Sequence, residues 1–197
     1  MKLALILTIL LIWTIAGRAE EAATAPVERL HAALEQVMKD GPGLGFDGRA
    51  RQLAPVIEQV YDLPAMTRAA VGAQAARLKP EQMDRLVQAF THYTVATYAR
   101  QFASYDGERF ETGTPSPAHG GGMLVPTRII PAAGEPASLT YLMRETPQGW
   151  RIEDVLLDGT ISQLAVRRAE FRGVLMLKGP DALVDMLESR AAEQAKP

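Results

Sequence analysis

The chain of 197 residues has no cysteine, only three histidines and an aromatic content of 6%. Without cysteine there is no disulfide framework, no thiolate-ligated metal and no lipid anchored through a cysteine at a cleavage site. His31, His92 and His119 are scattered, with no H-x-x-x-H pair and no carboxylate at ligand spacing, so no metal site is expected. The sequence holds no G-x-S-x-G elbow, no G-x-x-x-x-G-K phosphate loop and no strand–glycine turn–helix fingerprint for a dinucleotide. Gly120-Gly121-Gly122 has no helix start behind it and reads as a loop. Glu153, Asp154 and Asp158 read as a solvated strand edge and a turn, not as catalytic acids. No enzyme and no cofactor are expected.

Long apolar runs are also missing, with one exception. Lys2 is followed by an almost unbroken apolar stretch, Leu3 to Ile15, and then by Ala16-Gly17-Arg18-Ala19. A basic start, a short apolar core and small residues at the end are the pattern of a signal peptide covering residues 1–19, with the mature chain beginning at Glu20. A retained anchor helix is the alternative, but the run is short for a bilayer span. Of 21 basic residues, losing Lys2 and Arg18 leaves 19 against 23 acidic ones, a net charge of −4. A basic stripe is what nucleic-acid binding needs, and none is present, so no nucleic-acid partner is expected. The expected location is the periplasm.

What the chain does contain is apolar periodicity. Glu20 to Thr24 reads as a loose leader, and Pro26 opens a helix ending near Gly41-Pro42-Gly43. Asp47 can cap a second helix that Pro55 should bend, and Asp62 starts a short one stopped by Gly72. Pro80 begins what reads as the longest helix, to about Ser104. The second half changes period. A short strand at Arg109–Gly113 precedes a loop, and Met123–Ile130, Ser138–Glu145 and Trp150–Leu157 read as antiparallel strands on short turns. The last of these carries a slip of register between Ile152 and Val155. Asp158-Gly159-Thr160 then turns the chain into an amphipathic helix, with Thr160 able to cap it, and a final helix starts at Pro180.

Helices followed by a meander indicate an α+β domain, residues 20–197. A helical lobe at about 26–104 covers a curved antiparallel sheet, and the sheet plus C-terminal helices occupies about 105–190. Both layers bring bulky residues to one interface. That interface is either a filled core or an apolar cavity, and periodicity does not separate the two. The candidate lining residues are Val60, Val71, Phe90, Tyr93, Tyr98, Phe102, Tyr141, Met143, Trp150, Val155, Leu164 and Phe171.

Several short motifs in order carry a resemblance. They are Tyr61-Asp62 with Met66 and Gly72, Leu78-x-Pro80-Glu81-Gln82, Phe90 and Tyr98-Ala99, and Tyr105-x-Gly107. Gly149-Trp150-Arg151-Ile152, Asp154-Val155, Asp158-Gly159, Arg168, Phe171 and Gly179-x-Asp181-x-Leu183 follow. Together they resemble the MlaC, or toluene-tolerance, family of periplasmic lipid-binding proteins, over nearly all of the mature chain. The segment Asp158 to Ala165 with Arg167-Arg168 is similar to the hopanoid-associated HpnM branch. The tryptophan common in the family shortly after the Gly72 position is absent, with Gln74 to Arg77 in its place.

The resemblance implies an NTF2-like sheet enclosing an apolar cavity. It also implies a membrane lipid as cargo, a hopanoid or else a phospholipid, and shuttling between an inner-membrane transporter and an outer-membrane acceptor complex. Two other classes stay open on the residues alone. An isomerase-type enzyme on the same scaffold would use Tyr141 with Asp154, and a structural adaptor would show a large exposed apolar patch and no cavity.

Overall fold

The computed structural model describes the backbone of residues 3–196 and the side chains of residues 20–41 and 43–196. The leader expected at residues 1–19 therefore lies outside the described side chains. The helical run α1 (Leu3–Val60) is interrupted at Gly45, whose φ of 62° and ψ of −178° are open to glycine at no steric cost. The two helices expected on either side of Gly41–Asp47 are thus the halves of one kinked run, and Pro55 is accommodated within it. Glu20 to Thr24 is helical and not a loose leader, and Ala23 is completely buried.

The kink is held by Arg49, which is itself buried. Its guanidinium donates to the carbonyls of Ala99 (2.8 Å) and Gly41 (3.3 Å). A buried cation is satisfied here by two carbonyl oxygens. That of Ala99 is near the C-terminal end of another helix, where the carbonyls carry partial negative charge, and that of Gly41 lies just before the kink.

α2 (Leu63–Val71) begins where Asp62 Oδ1 accepts from the Ala65 N–H at 3.0 Å, and it stops at Gly72, with φ of 63°. A 3₁₀ turn over Gly72–Arg77 leads to α3 (Pro80–Gln101). At 22 residues α3 is not the longest helix, since the unbroken part of α1 before Gly45 exceeds it.

The strands are β1 (Arg109–Thr112), β2 (Ser116–Pro117), β3 (Met123–Ile130), β4 (Ala137–Thr146), β5 (Gly149–Leu157) and β6 (Ile161–Ser162). They form one antiparallel sheet of order β1-β3-β4-β5-β6, with β2 beside β3. Leu142 pairs with Asp154 and Met143 with Ile152, so the anticipated slip is a bulge at Glu153. Asp158 (φ 49°) and Gly159 (φ 69°) turn the chain back so that Leu157 pairs with Ile161.

This hairpin displaces the expected helix cap. α4 (Gln163–Gln194) is capped by Ser162, whose Oγ accepts from the Ala165 N–H at 2.9 Å, and not by Thr160. The final helix anticipated from Pro180 is the second half of α4, beyond a break at Gly179 with φ of 82°.

α1 packs on α3 and β5, and α4 packs on α3 and α2, so the helices form one layer against the sheet. Leu30, Leu34, Leu53, Ile57, Leu86, Tyr141, Met143, Ile152, Phe171, Leu183 and Leu187 are fully buried between them. The fold is α+β, as the change of period indicates. Among the described residues, no helix is long and apolar enough to cross a membrane.

Candidate ligand-binding cavity

A cavity of about 320 Å³ opens between α3, the first turn of α4 and the strands β3 to β5. Leu139 and Tyr141 of β4 and Val155 and Leu157 of β5 form its floor, because alternate residues of a strand share a face. Phe90, Tyr93, Thr94, Thr97, Tyr98, Gln101 and Phe102 form a wall, spaced at three and four residues along α3. Leu164 and Arg167 close it from α4, and Tyr61 and Met66 from the α1–α2 junction.

The aromatic rings are ordered against one another. Tyr98 stacks on Phe102 with centroids 5.8 Å apart and planes 13° apart, and Phe102 meets Phe110 at 6.2 Å. The tyrosine hydroxyls deepest in the wall are paired. The Tyr61 hydroxyl is hydrogen-bonded to that of Tyr98. Tyr141 Oη lies 3.3 Å from His31 Nε2, and the His31 ring stacks on Phe110 at 4.6 Å.

Burial pushes the Tyr61 and Tyr141 hydroxyls well above the ordinary tyrosine pKa and Tyr98 also upward, so all three are neutral. Burial likewise lowers His31 from 6.5 to about 4, leaving a neutral ring. The cation at the site is Arg167, with its guanidinium carbon 5.0 Å from the Tyr93 ring centroid and its NH1 3.2 Å from Glu170 Oε2. The interior is therefore largely apolar and lined by rings, with Arg167 as the one cation among its lining residues.

Of the residues anticipated from the sequence, Phe90, Tyr93, Tyr98, Phe102, Tyr141, Val155 and Leu164 come together on this cavity. Val60, Val71, Met143, Trp150 and Phe171 do not line it. Met143 and Trp150 stand at the other end of the sheet, which the α1–α2 junction covers. There the Asp62 N–H donates to the Ile152 carbonyl at 2.9 Å, and Arg151 donates to the carbonyls of Glu58 and Tyr61. Val60, Val71 and Phe171 are buried against neighbouring helices, Phe171 edge-on to Phe90 at 5.8 Å.

The residues that sequence reasoning missed fall into two groups. Thr94, Thr97 and Gln101 lie on the α3 stripe already marked by its aromatics, and Leu139 and Leu157 on the faces marked by Tyr141 and Val155. Periodicity contained that signal. Ile129, Ala137, Gln163, Arg167, Tyr61 and Met66 reach the cavity through strand pairing and helix packing, which no local pattern reports.

Asp154 is buried, contrary to the solvated edge expected of it. Its Oδ1 accepts from the N–H groups of Val155 (2.8 Å) and Leu164 (2.9 Å), and its Oδ2 from the Ser162 hydroxyl at 2.5 Å. The carboxylate fastens the start of α4, whereas the Tyr141 hydroxyl faces His31, so the pair needed for isomerase-type chemistry is not assembled. Among the described residues no group of His, Asp or Glu is placed to hold a metal. Two further surface grooves, one bounded by Glu111–Gly113 and Asp158–Gly159 and one between α1 and α3, lack this aromatic lining.

The MlaC protein family profile matches residues 28–189 of the chain. Among solved structures, the fold is similar to that of a phospholipid-binding protein from Ralstonia solanacearum in complex with a phospholipid. The TM-score is 0.75 at 22% identity, over 90% of this chain and 99% of that one. No curated protein matches the sequence.

Proposed function

The chain belongs to the MlaC family, and from that premise we propose that it is a periplasmic lipid carrier that encloses the apolar part of a membrane lipid in the cavity between α3, α4 and the sheet. The observation that carries this reading is a ring-lined, largely apolar cavity of about 320 Å³. Leaving methylene groups in water costs roughly 0.8 kcal/mol each, so a lipid crosses an aqueous gap slowly unless its tail is covered. A protein that covers the tail removes this barrier with no chemical step. Binding and transport, not catalysis, are what these residues are suited to. Direction would come from an inner-membrane transporter and an outer-membrane acceptor complex.

The cargo we infer is a lipid with one compact apolar body, a hopanoid. It is supported by the likeness of Asp158–Ala165 to the HpnM branch and by a volume near the lower end of ordinary ligand cavities. A phospholipid is the second reading, favoured by the phospholipid complex among similar structures. Residues 1–19 act as a cleaved signal peptide and residues 20–197 form the single lipid-binding domain. In support, the burial of Ala23 sets the packed helix immediately after that point.

Mass spectrometry of lipid extracted from the purified protein tests the proposal. A stoichiometric polycyclic lipid supports the first cargo and a phospholipid the second, while protein that never retains lipid overturns the carrier. Amino-terminal sequencing of the exported protein should read Glu20, and an intact Met1 on membrane-bound protein overturns the processing.

A further inference from the structure

The described residues include six large apolar side chains that are exposed, and five of them, Leu157, Ile161, Val166, Met176 and Leu177, fall between positions 157 and 177. Met176 is 62% and Leu177 84% exposed. Val166, Ala169, Gly173 and Leu177 follow one another at three- and four-residue steps, so they share a face of α4. Arg168, Arg172 and Met176 form the adjoining stripe by the same spacing. An added Cβ at Gly173 would meet nothing within 4 Å, so this face is open.

The charge of the surrounding segment is of one sign. Arg167, Arg168, Arg172 and Lys178 lie between Gly159 and Pro180, where the single acid is Glu170. Glu170 is taken up by Arg167 at 3.2 Å and Arg190 at 2.5 Å. Among the described residues no carboxylate pairs with Arg168, Arg172 or Lys178. The chain as a whole carries a net charge of −2, so this is a local reversal. On the same helix, Leu164 on the far side and Arg167 on the flank line the cavity. Leu157 lines it too, and pairs across the hairpin with exposed Ile161.

We propose that this face of α4, from Val166 to Lys178, is a docking surface for an anionic lipid bilayer, which sets the cavity mouth against the membrane. The inference rests on the carrier reading above. Apolar side chains with Arg172 in the adjoining stripe and Lys178 at the end of this half of the helix suit an interface that is apolar below and negatively charged above. A protein partner would more fittingly meet these cations with carboxylates of its own, and that is the competing outcome.

The test is flotation of the secreted chain with vesicles of phosphatidylglycerol and phosphatidylethanolamine, and separately of phosphatidylcholine, at low and high salt. Binding to the anionic vesicles, weakened by salt, is expected. Each of Arg172→Gln and Lys178→Gln should lower that partitioning roughly fivefold. Met176→Ser with Leu177→Ser should lower it further, all with unchanged thermal melts because these side chains are exposed. Lipid extracted from the variants should equal that from the parent protein, which keeps cavity loading apart from docking. The inference is overturned if the parent protein ignores anionic vesicles or if parent and variants float alike. It is equally overturned if the variants lose only a protein partner. Absence of bound lipid in every preparation would instead remove the carrier reading.

Discussion

Asp154 Oδ2 accepts a 2.5 Å hydrogen bond from the Ser162 hydroxyl, and that same hydroxyl oxygen accepts the N–H of Ala165. A buried carboxylate thus holds the residue that caps α4, and Leu164 and Arg167 one turn further on close the cavity. Asp154→Ala should cost about 2–3 kcal/mol, through loss of hydrogen bonds to a charged acceptor and loosening of the cap. Asp154→Asn, which keeps one acceptor oxygen, should cost about 1 kcal/mol. Lipid transfer between vesicles by the Asn variant should stay near that of the parent protein, with the lipid recovered chemically intact. Conversion of the lipid by the parent protein that vanishes in the variant would restore an enzymatic role.

Thr97 and Ala96 are neighbours on α3 with opposite surroundings. Thr97 lines the cavity, while Ala96 is 2% exposed within the packing. Thr97→Trp should therefore displace cargo with little change in stability. Ala96→Trp should overpack and cost ~1–3 kcal/mol or more. Thermal melts and lipid counts on the two variants separate the cases, and equal melting losses would mean that the cavity wall cannot accommodate the added ring.

His31 makes stability depend on pH. Its ring is lowered to about 4 by burial, against 6.5 in the unfolded chain, so between these values the unfolded state binds the extra proton. Stability then rises with pH, is complete above 6.5, and falls on acidification toward 4. From pH 7 to pH 5 the loss should be about 2 kcal/mol. Urea unfolding at the two pH values should show this difference in the parent protein and a smaller one in His31→Gln. An equal slope in both would assign the effect to other groups.

Tyr61 and Tyr98 share a buried hydrogen bond between their hydroxyls. Removing one hydroxyl leaves the other without its partner in an apolar wall, so Tyr61→Phe and Tyr98→Phe should each cost about 1–3 kcal/mol. The double variant should cost less than the sum of the two. Additive losses in a double-mutant cycle would show that the two hydroxyls do not depend on each other.

Local pattern was sufficient for much of the fold. β3 runs from Met123 to Ile130 as its alternation indicates, and the short helix from Asp62 to Gly72 has a side-chain cap at one end and a left-handed glycine at the other. The slip in β5 was also legible, because one extra residue shifts the apolar pattern by one place. Each of these depends on neighbours within a few residues.

What lies beyond that reach was decided by the tertiary structure. Thr160 has the chemistry of a cap but is held in the hairpin that pairs Leu157 with Ile161, so the role passes to Ser162, which Asp154 fastens from another strand. Phe90 and Phe171 sit on apolar stripes of the same kind and touch edge to face at 5.8 Å, yet Phe90 lines the cavity and Phe171 is sealed in the core. Periodicity determines which face of a helix turns inward. Whether that face meets another side chain or a space depends on how far apart the opposing layers are held, and here α1 and α2 close one end of the sheet and leave the other open.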